Sequence, residues 1–316
     1  MSKFLDRYLA GEHVAVWKEL VALGEAIHQK RHYADAAAVA AETMRRARHN
    51  VEVLIERLDG QGFRFLTQEA NDANQREAGR RVQEIHKQVF LGASRYLEGE
   101  AFLRSKERRQ AYEAAAEHNR ATAIAFTNKA LVGKPAPLKN PEVLDRPTKQ
   151  TAKKLDKMEE LAGGPLPLSL RAWYEQVGGV SLIGWHSILS PNPDEPGALS
   201  GGATPDPLMI WPLDWVLKQL EMERNWKDEG EIKLDLAPDA DFKAGGAGGG
   251  AYWMAIPDRR ADNIFDDRSG SQRRGAPTLV NYLRNAFAWG GFPGWKRNSN
   301  PPREAIAKLT EGLLPL

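Results

Sequence analysis

A proline-rich stretch at residues 135–149 constrains the fold of this chain more than any other feature of its sequence. Proline has no backbone N–H and restricts the residue before it, so neither a helix nor a central strand continues through such a stretch. The four prolines are Pro135, Pro137, Pro141 and Pro147. We therefore predict a helical domain over residues 1–134, a linker over residues 135–149 and a second domain over residues 150–316.

The residues before this stretch have the periodicity of amphipathic helices. Between Ala34 and Leu58 the apolar residues recur every three or four positions, which places them on one side of a helix. A second helix is predicted over residues 15–27. The alanine-rich and charge-rich residues 69–131 predict two or three more helices. The first 134 residues therefore read as an all-α region.

After the linker, helices alternate with short strand-like segments. Strand composition and alternation predict strands at residues 180–189, 207–211, 231–238, 251–257 and 262–267. Helical patterns fall at residues 153–161, 168–177, 212–226 and 276–291. The last two strands are expected to pair across DRRA. This order predicts an α+β fold with a mainly antiparallel sheet and packed helices.

Composition excludes several classes of protein. The chain has no cysteine, which rules out thiol nucleophiles, disulfides and thiolate metal sites. It has no apolar run of the roughly 18 to 20 residues that a membrane span needs, and its first 20 residues lack the apolar region of a signal peptide. We therefore expect a cytoplasmic protein. A net charge of +2 is too small to indicate a nucleic-acid binder.

No catalytic, cofactor-binding or metal-binding set can be assembled from the motifs. The seven histidines form no H-E-x-x-H pair. A serine triad in the second domain would need His186, but no G-x-S-x-G motif presents a serine. The GGAGGGA tract precedes a strand rather than a helix, so it predicts a loop and not a phosphate cradle. We expect a protein that is not an enzyme.

Three residues of the segment DNIFDDR carry carboxylates. If residues 262–267 form a strand, alternation places Asp262, Ile264 and Asp266 on one face and Asp267 on the other. Because the carboxylates then do not converge, a solvated or partner-facing strand is favoured over a cation or acid–base site.

The segment GPLPLSLRAWYEQVGGVSLIG combines a leucine–proline pair, two adjacent aromatic residues and a glycine turn before a strand. The leucine–proline pair is Leu166 and Pro167, and the aromatic pair is Trp173 and Tyr174. With IWPLDWVLKQL, AYWMAIPD and TLVNYLRNAFAWGGFPGW, this segment resembles the SUKH superfamily over about residues 150–298. On the helix, the two aromatic side chains point about 100° apart. One of them is expected to enter the core and the other to line its edge.

The resemblance implies a binding domain without catalysis, and many bacterial members are similar to immunity proteins that neutralise toxins. We therefore expect a protein partner, a toxin, which the acidic residues of loops and strand ends would contact. The candidate contacts are Asp194, Glu195, Asp206, Asp262, Asp266 and Asp267. The alternative is a regulatory or scaffold protein whose helical half binds host proteins. The sequence leaves the oligomeric state open.

Overall fold

The fold was analysed in a computed structural model of the chain. The structure describes residues 3–66, 142–191, 205–226, 230–243, 250–267 and 276–316. The helices predicted within residues 69–131 lie outside these ranges. None of the helices within these ranges is both long enough and apolar enough to cross a membrane.

The described residues form nine α-helices. They are α1 (Phe4–Leu9), α2 (His13–Ala22), α3 (Lys30–Gly60), α4 (Thr151–Ala162), α5 (Leu168–Gln176), α6 (Leu213–Trp226), α7 (Ala240–Lys243), α8 (Leu279–Ala288) and α9 (Arg303–Thr310). The predicted helix at residues 15–27 is divided. After α2 the chain continues as a short 3-10 helix, Gly24–His28, which begins at a glycine with a φ of +54°.

Short strands lie between these helices. They are β1 (Arg64–Phe65), β2 (Leu144–Asp145), β3 (Gly179–Ser181), β4 (Gly184–Trp185), β5 (Met209–Ile210), β6 (Ile232–Pro238), β7 (Ala251–Ile256) and β8 (Asp266–Asp267). One of them, β1, falls within the region predicted to be all helical and pairs with β4.

All strand pairs within the described residues are antiparallel. They form a two-stranded sheet β1–β4 and two three-stranded sheets, β2–β3–β5 and β6–β7–β8. The N–H of Trp211 donates to the carbonyl of Leu236 at 2.7 Å, which joins the second sheet to the third. The prediction of an α+β fold with antiparallel sheets is confirmed at this level.

Two predicted strands differ from the structure. The segment 180–189 is interrupted, and its two short strands belong to different sheets because Gly184 pairs with Phe65 whereas Val180 pairs with Ile210. The segment 262–267 is a strand only at its last two residues. Asp262 is therefore not a strand residue, and the predicted alternation of faces does not apply to it.

The aromatic pair of the opening motif lies in the centre of the core. Trp173 and Tyr174 are both fully buried on α5, and the hydroxyl of Tyr174 donates to the carbonyl of Trp211 at 3.1 Å. The expectation that one of them lines the edge of the core is wrong, because this hydrogen bond lets the tyrosine be buried as well.

The first helices and the last half of the chain share one core. By contacts, the described residues before position 67 and those after position 141 belong to one compact unit. Helix α3 packs against α5, and their buried side chains belong to one cluster. The reason is that the long apolar face of α3 is covered by the helices and sheets after residue 141.

The final segment of the chain is held against α3. The side-chain amide of Asn50 donates to the carbonyl of Leu314 at 2.8 Å and accepts from the Leu314 N–H at 2.7 Å. Arg57 donates to the carbonyls of Leu309 and Glu311 at 2.8 and 2.6 Å. These bonds fix residues 313–316 beside α2 and α8, where they border the candidate site.

Candidate functional site

A groove runs between α2 and α8, and we call it the α2–α8 groove. It consists of two cavities of about 470 and 300 Å³ that both reach Val14 and Arg284. The larger cavity is bordered by residues 313–316 and by Phe287. The smaller one is bordered by Trp17, Lys18 and Val21 of α2 and by Thr278, Val280 and Asn281. The groove is thus lined by both halves of the chain.

Helix α2 places apolar side chains on its outer face as well as in the core. Val16, Trp17 and Leu20 are buried, and Trp17 is fixed by a hydrogen bond from its Nε1 to the hydroxyl of Thr43 at 2.9 Å. Val14 and Val21, in contrast, remain 65% and 36% exposed. Since they are seven residues apart, both lie on the face that borders the groove.

A third exposed apolar residue is joined through the backbone to a residue that borders the smaller cavity. Ile264 is 45% exposed and forms an antiparallel bridge with Thr278, which borders that cavity. Of the three, Val14 and Val21 border the cavity itself, and neighbouring exposed apolar side chains at a cavity favour a contact with another protein.

Arg284 of α8 connects the two sides of the groove. Its guanidinium donates to the backbone oxygens of Leu316 and His13 at 2.9 and 3.2 Å and to the side-chain oxygen of Asn281 at 2.9 Å. Partial burial lowers the pKa of Arg284, but not enough to neutralise a guanidinium. The arginine therefore brings a positive charge to both cavities.

His13 lies at the N-terminal end of α2 and borders the larger cavity. Its Nε2 accepts a hydrogen bond from Arg46 at 2.7 Å, because a guanidinium has only donors. Burial, followed by the charges of Arg46 and Arg284, lowers the pKa of the imidazole. His13 is therefore neutral at neutral pH, and its protonation would break the contact with Arg46.

Asp262 lies at the base of the smaller cavity and is almost fully buried. One carboxylate oxygen accepts from the Ser169 hydroxyl at 2.7 Å and from the Asn263 N–H at 3.0 Å, and the other accepts from the Val280 N–H at 3.1 Å. Burial raises the pKa of this carboxyl. The group joins the start of α5 to the first turn of α8, so its hydrogen bonds are used within the fold.

Asp206, a second predicted contact, is also directed into the protein. It accepts hydrogen bonds from Lys243 at 2.7 Å and from the hydroxyl of Tyr252 at 2.9 Å. The side chains of Lys243 and Asp206 are 0% and 8% exposed. Both described carboxylates of the predicted set, Asp206 and Asp262, are therefore buried and engaged inside the chain.

The other four predicted contacts are not brought into this site by the described structure. Asp194 and Glu195 lie outside the described residues. Asp266 and Asp267 form β8, opposite Trp253 and Tyr252. Their side chains are outside the described part of the structure.

His186, which a serine triad would have needed, has a role within the fold. The Nδ1 of His186 accepts from the backbone N–H groups of Ile188 and Leu189, both at 3.2 Å, so this histidine stabilises a turn. Within the described ranges, no group of three or more histidine, aspartate or glutamate side chains is arranged to hold a metal ion.

Sequence patterns alone did not predict the α2–α8 groove. A signal for half of it was present, since α2 has apolar residues at positions 14, 16, 17, 20 and 21, more than one buried face needs. No local pattern in α2 indicated that α8, about 270 residues later in the chain, would form the opposite side of the groove.

No family model, curated protein or solved structure matches this chain. The described residues form an α+β protein with a groove whose lining combines apolar side chains with positive and negative groups.

Proposed function

We propose that this chain is a protein-binding module without catalytic activity that neutralises a toxin by binding it in the cytoplasm. The toxin as partner comes from the resemblance to the SUKH superfamily. The observation that supports protein binding is the pair of exposed apolar side chains, Val14 and Val21, that borders the α2–α8 groove.

This proposal moves the contact surface from the predicted acidic residues to the groove. Asp206 and Asp262 have buried partners in the fold, and exposing either carboxylate would leave those partners without an acceptor. Lys18 and Arg284, which border the groove, have the opposite charge. Burial of apolar surface would supply most of the affinity, and the charged residues would set the orientation of the partner.

The alternative, a regulator or scaffold whose first half binds host proteins, shares this surface. Helix α2 belongs to the first 134 residues and contributes the two exposed valines. The two proposals differ in the identity of the partner and not in the place where it would bind.

The test is a pull-down of the full chain from its own organism, including the product of the neighbouring gene, with each partner identified by mass. We compare wild type with Val14→Glu/Val21→Glu. The matched control is Ile188→Glu/Met222→Glu, which changes two similarly exposed apolar residues away from the groove.

Stoichiometric recovery of one toxin-like protein by the wild type and the control, but not by the groove variant, supports the proposal. Recovery of several housekeeping proteins through α2 supports the scaffold alternative. If a toxin-like protein is absent from all eluates, the immunity function is wrong.

A further inference from the structure

The α2–α8 groove restricts the backbone conformation of whatever occupies it. Its two facing elements are the helices α2 and α8, whose interior N–H and C=O groups are already paired within each helix, and the backbone of Leu314 at its border is paired with Asn50. An extended segment in this groove would find no strand among the described lining residues and would bury unpaired backbone groups. A helical segment pairs its own backbone and buries only side chains.

Three exposed residues of α2 that border the groove, which we call the α2 row, set the length of the contact. Val14, Lys18 and Val21 are spaced by four and three residues and span about 10 Å at 1.5 Å per residue. Two turns of a bound helix have the same length. The occupant would therefore use three apolar side chains at positions i, i+3 or i+4, and i+7.

The charges of the groove favour carboxylates on the occupant. Lys18 lies in the middle of the α2 row, and Arg284 lies on the opposite side. Asp262, at the base, is occupied by hydrogen bonds from three groups. The carboxylate of Glu12 is held by Arg7 at 2.8 Å. Arg284 is likewise engaged, by its three acceptors. Among the described residues that line the groove, exposed Lys18 is therefore the charged group left to pair with a carboxylate of an incoming segment.

The start of α2 adds to this preference. Glu12 precedes the helix but makes no side-chain hydrogen bond to it, since Arg7 binds its carboxylate. Among the described residues, the first backbone N–H of α2 that has an acceptor is that of Val16. The positive end of the helix therefore borders the larger cavity, where it favours negative charge.

From these contacts we infer that the α2–α8 groove binds an amphipathic, acidic helix of a partner protein, with its apolar stripe against Val14 and Val21 and a carboxylate beside Lys18. This inference rests on the proposed protein-binding function and adds the conformation and charge of the bound segment.

The experiment uses a phage-displayed library of random 16-residue peptides, panned against the full chain. We expect the enriched peptides to share three apolar residues at i, i+3 or i+4, and i+7, with aspartate or glutamate between them. Fluorescence anisotropy of the best peptide then gives its affinity for each variant. Enrichment of no peptide, or of peptides without this pattern, would overturn the inference.

Variants of the chain locate the contact. Val14→Glu/Val21→Glu should weaken binding of the peptide at least tenfold, whereas the control Ile188→Glu/Met222→Glu should change it less than twofold. Lys18→Glu should weaken binding three- to tenfold, and a peptide with its acidic residue replaced by lysine should recover that loss. Thermal melting checks that each variant is folded. Equal affinities of the groove variant and the wild type would contradict the assignment.

The two proposals fail in different ways. If the pull-down recovers a toxin-like partner equally with the wild type and with Val14→Glu/Val21→Glu, protein binding stands and the groove inference is wrong. If peptides bind the groove as expected but the pull-down recovers no toxin-like protein, the groove inference stands and the immunity function is wrong.

Discussion

At the scale of single residues, Asp262 joins parts of the chain that are far apart in sequence. Its carboxylate accepts hydrogen bonds from Ser169, Asn263 and Val280, and Thr278 also interacts with it. Because removal of the carboxylate leaves these buried donors without an acceptor, Asp262→Ala should lower the free energy of unfolding by about 3 kcal/mol. Urea denaturation measures this loss.

The control is Asp156→Ala, which removes a carboxylate that is 67% exposed and pairs with Arg171. Exposed ion pairs contribute little, so we expect a loss below about 1 kcal/mol. If the two variants lose the same stability, Asp262 does not hold α5 and α8 together.

The lowered pKa of His13 makes the stability of the fold depend on pH. Its pKa is lowered in the folded chain, so between that value and the ordinary one the unfolded chain binds more protons. The stability that His13 contributes is therefore present above pH 6.5 and decreases as the pH falls below it.

The variant His13→Gln keeps an acceptor for Arg46 but does not titrate. Its free energy of unfolding, measured by urea denaturation, should decrease less than that of the wild type between pH 7.5 and pH 5.5. Parallel curves for the two proteins would show that His13 does not contribute to the pH dependence.

At the scale of elements, the turn between α5 and β3 depends on Gly178. Its φ is +93°, and a Cβ there would lie 2.0 Å from the carbonyl oxygen of Asp145. Gly178→Ala should therefore cost more than about 3 kcal/mol, through both backbone strain and this clash.

Gly312→Ala separates the two causes. Gly312 also has a positive φ, +68°, but a Cβ there meets no atom within 4 Å. It should cost only about 1 kcal/mol, the strain alone. Similar urea midpoints for both variants would mean that the approach of β2 to the turn does not matter.

At the scale of the whole molecule, α3 is part of the core of the α+β region. Leu54 is fully buried in the cluster that also contains Trp173 and Phe292. Leu54→Ala should cost about 2–5 kcal/mol and lower the urea midpoint seen by tryptophan fluorescence, since eight of the nine tryptophans follow residue 160.

Glu56→Ala, at an exposed position of the same helix, should leave that midpoint nearly unchanged. If Leu54→Ala does not move the tryptophan transition either, the first helices unfold independently of the rest. That result would support the domain boundary predicted at the prolines.

The sequence by itself determined the features that depend on neighbouring residues. The apolar spacing within residues 34–58 placed α3, and the glycine pair placed the reversal after α5. These predictions succeed because helical periodicity and the need for a positive φ are local properties.

Only the tertiary structure decided which charged groups are buried and where a groove forms. Asp262 is buried because Ser169 and Val280, 93 and 18 residues away, supply its donors. Asn50 holds Leu314 across 264 residues, and α2 meets α8 over a similar separation. Such contacts depend on how distant segments pack, so local sequence patterns do not predict them.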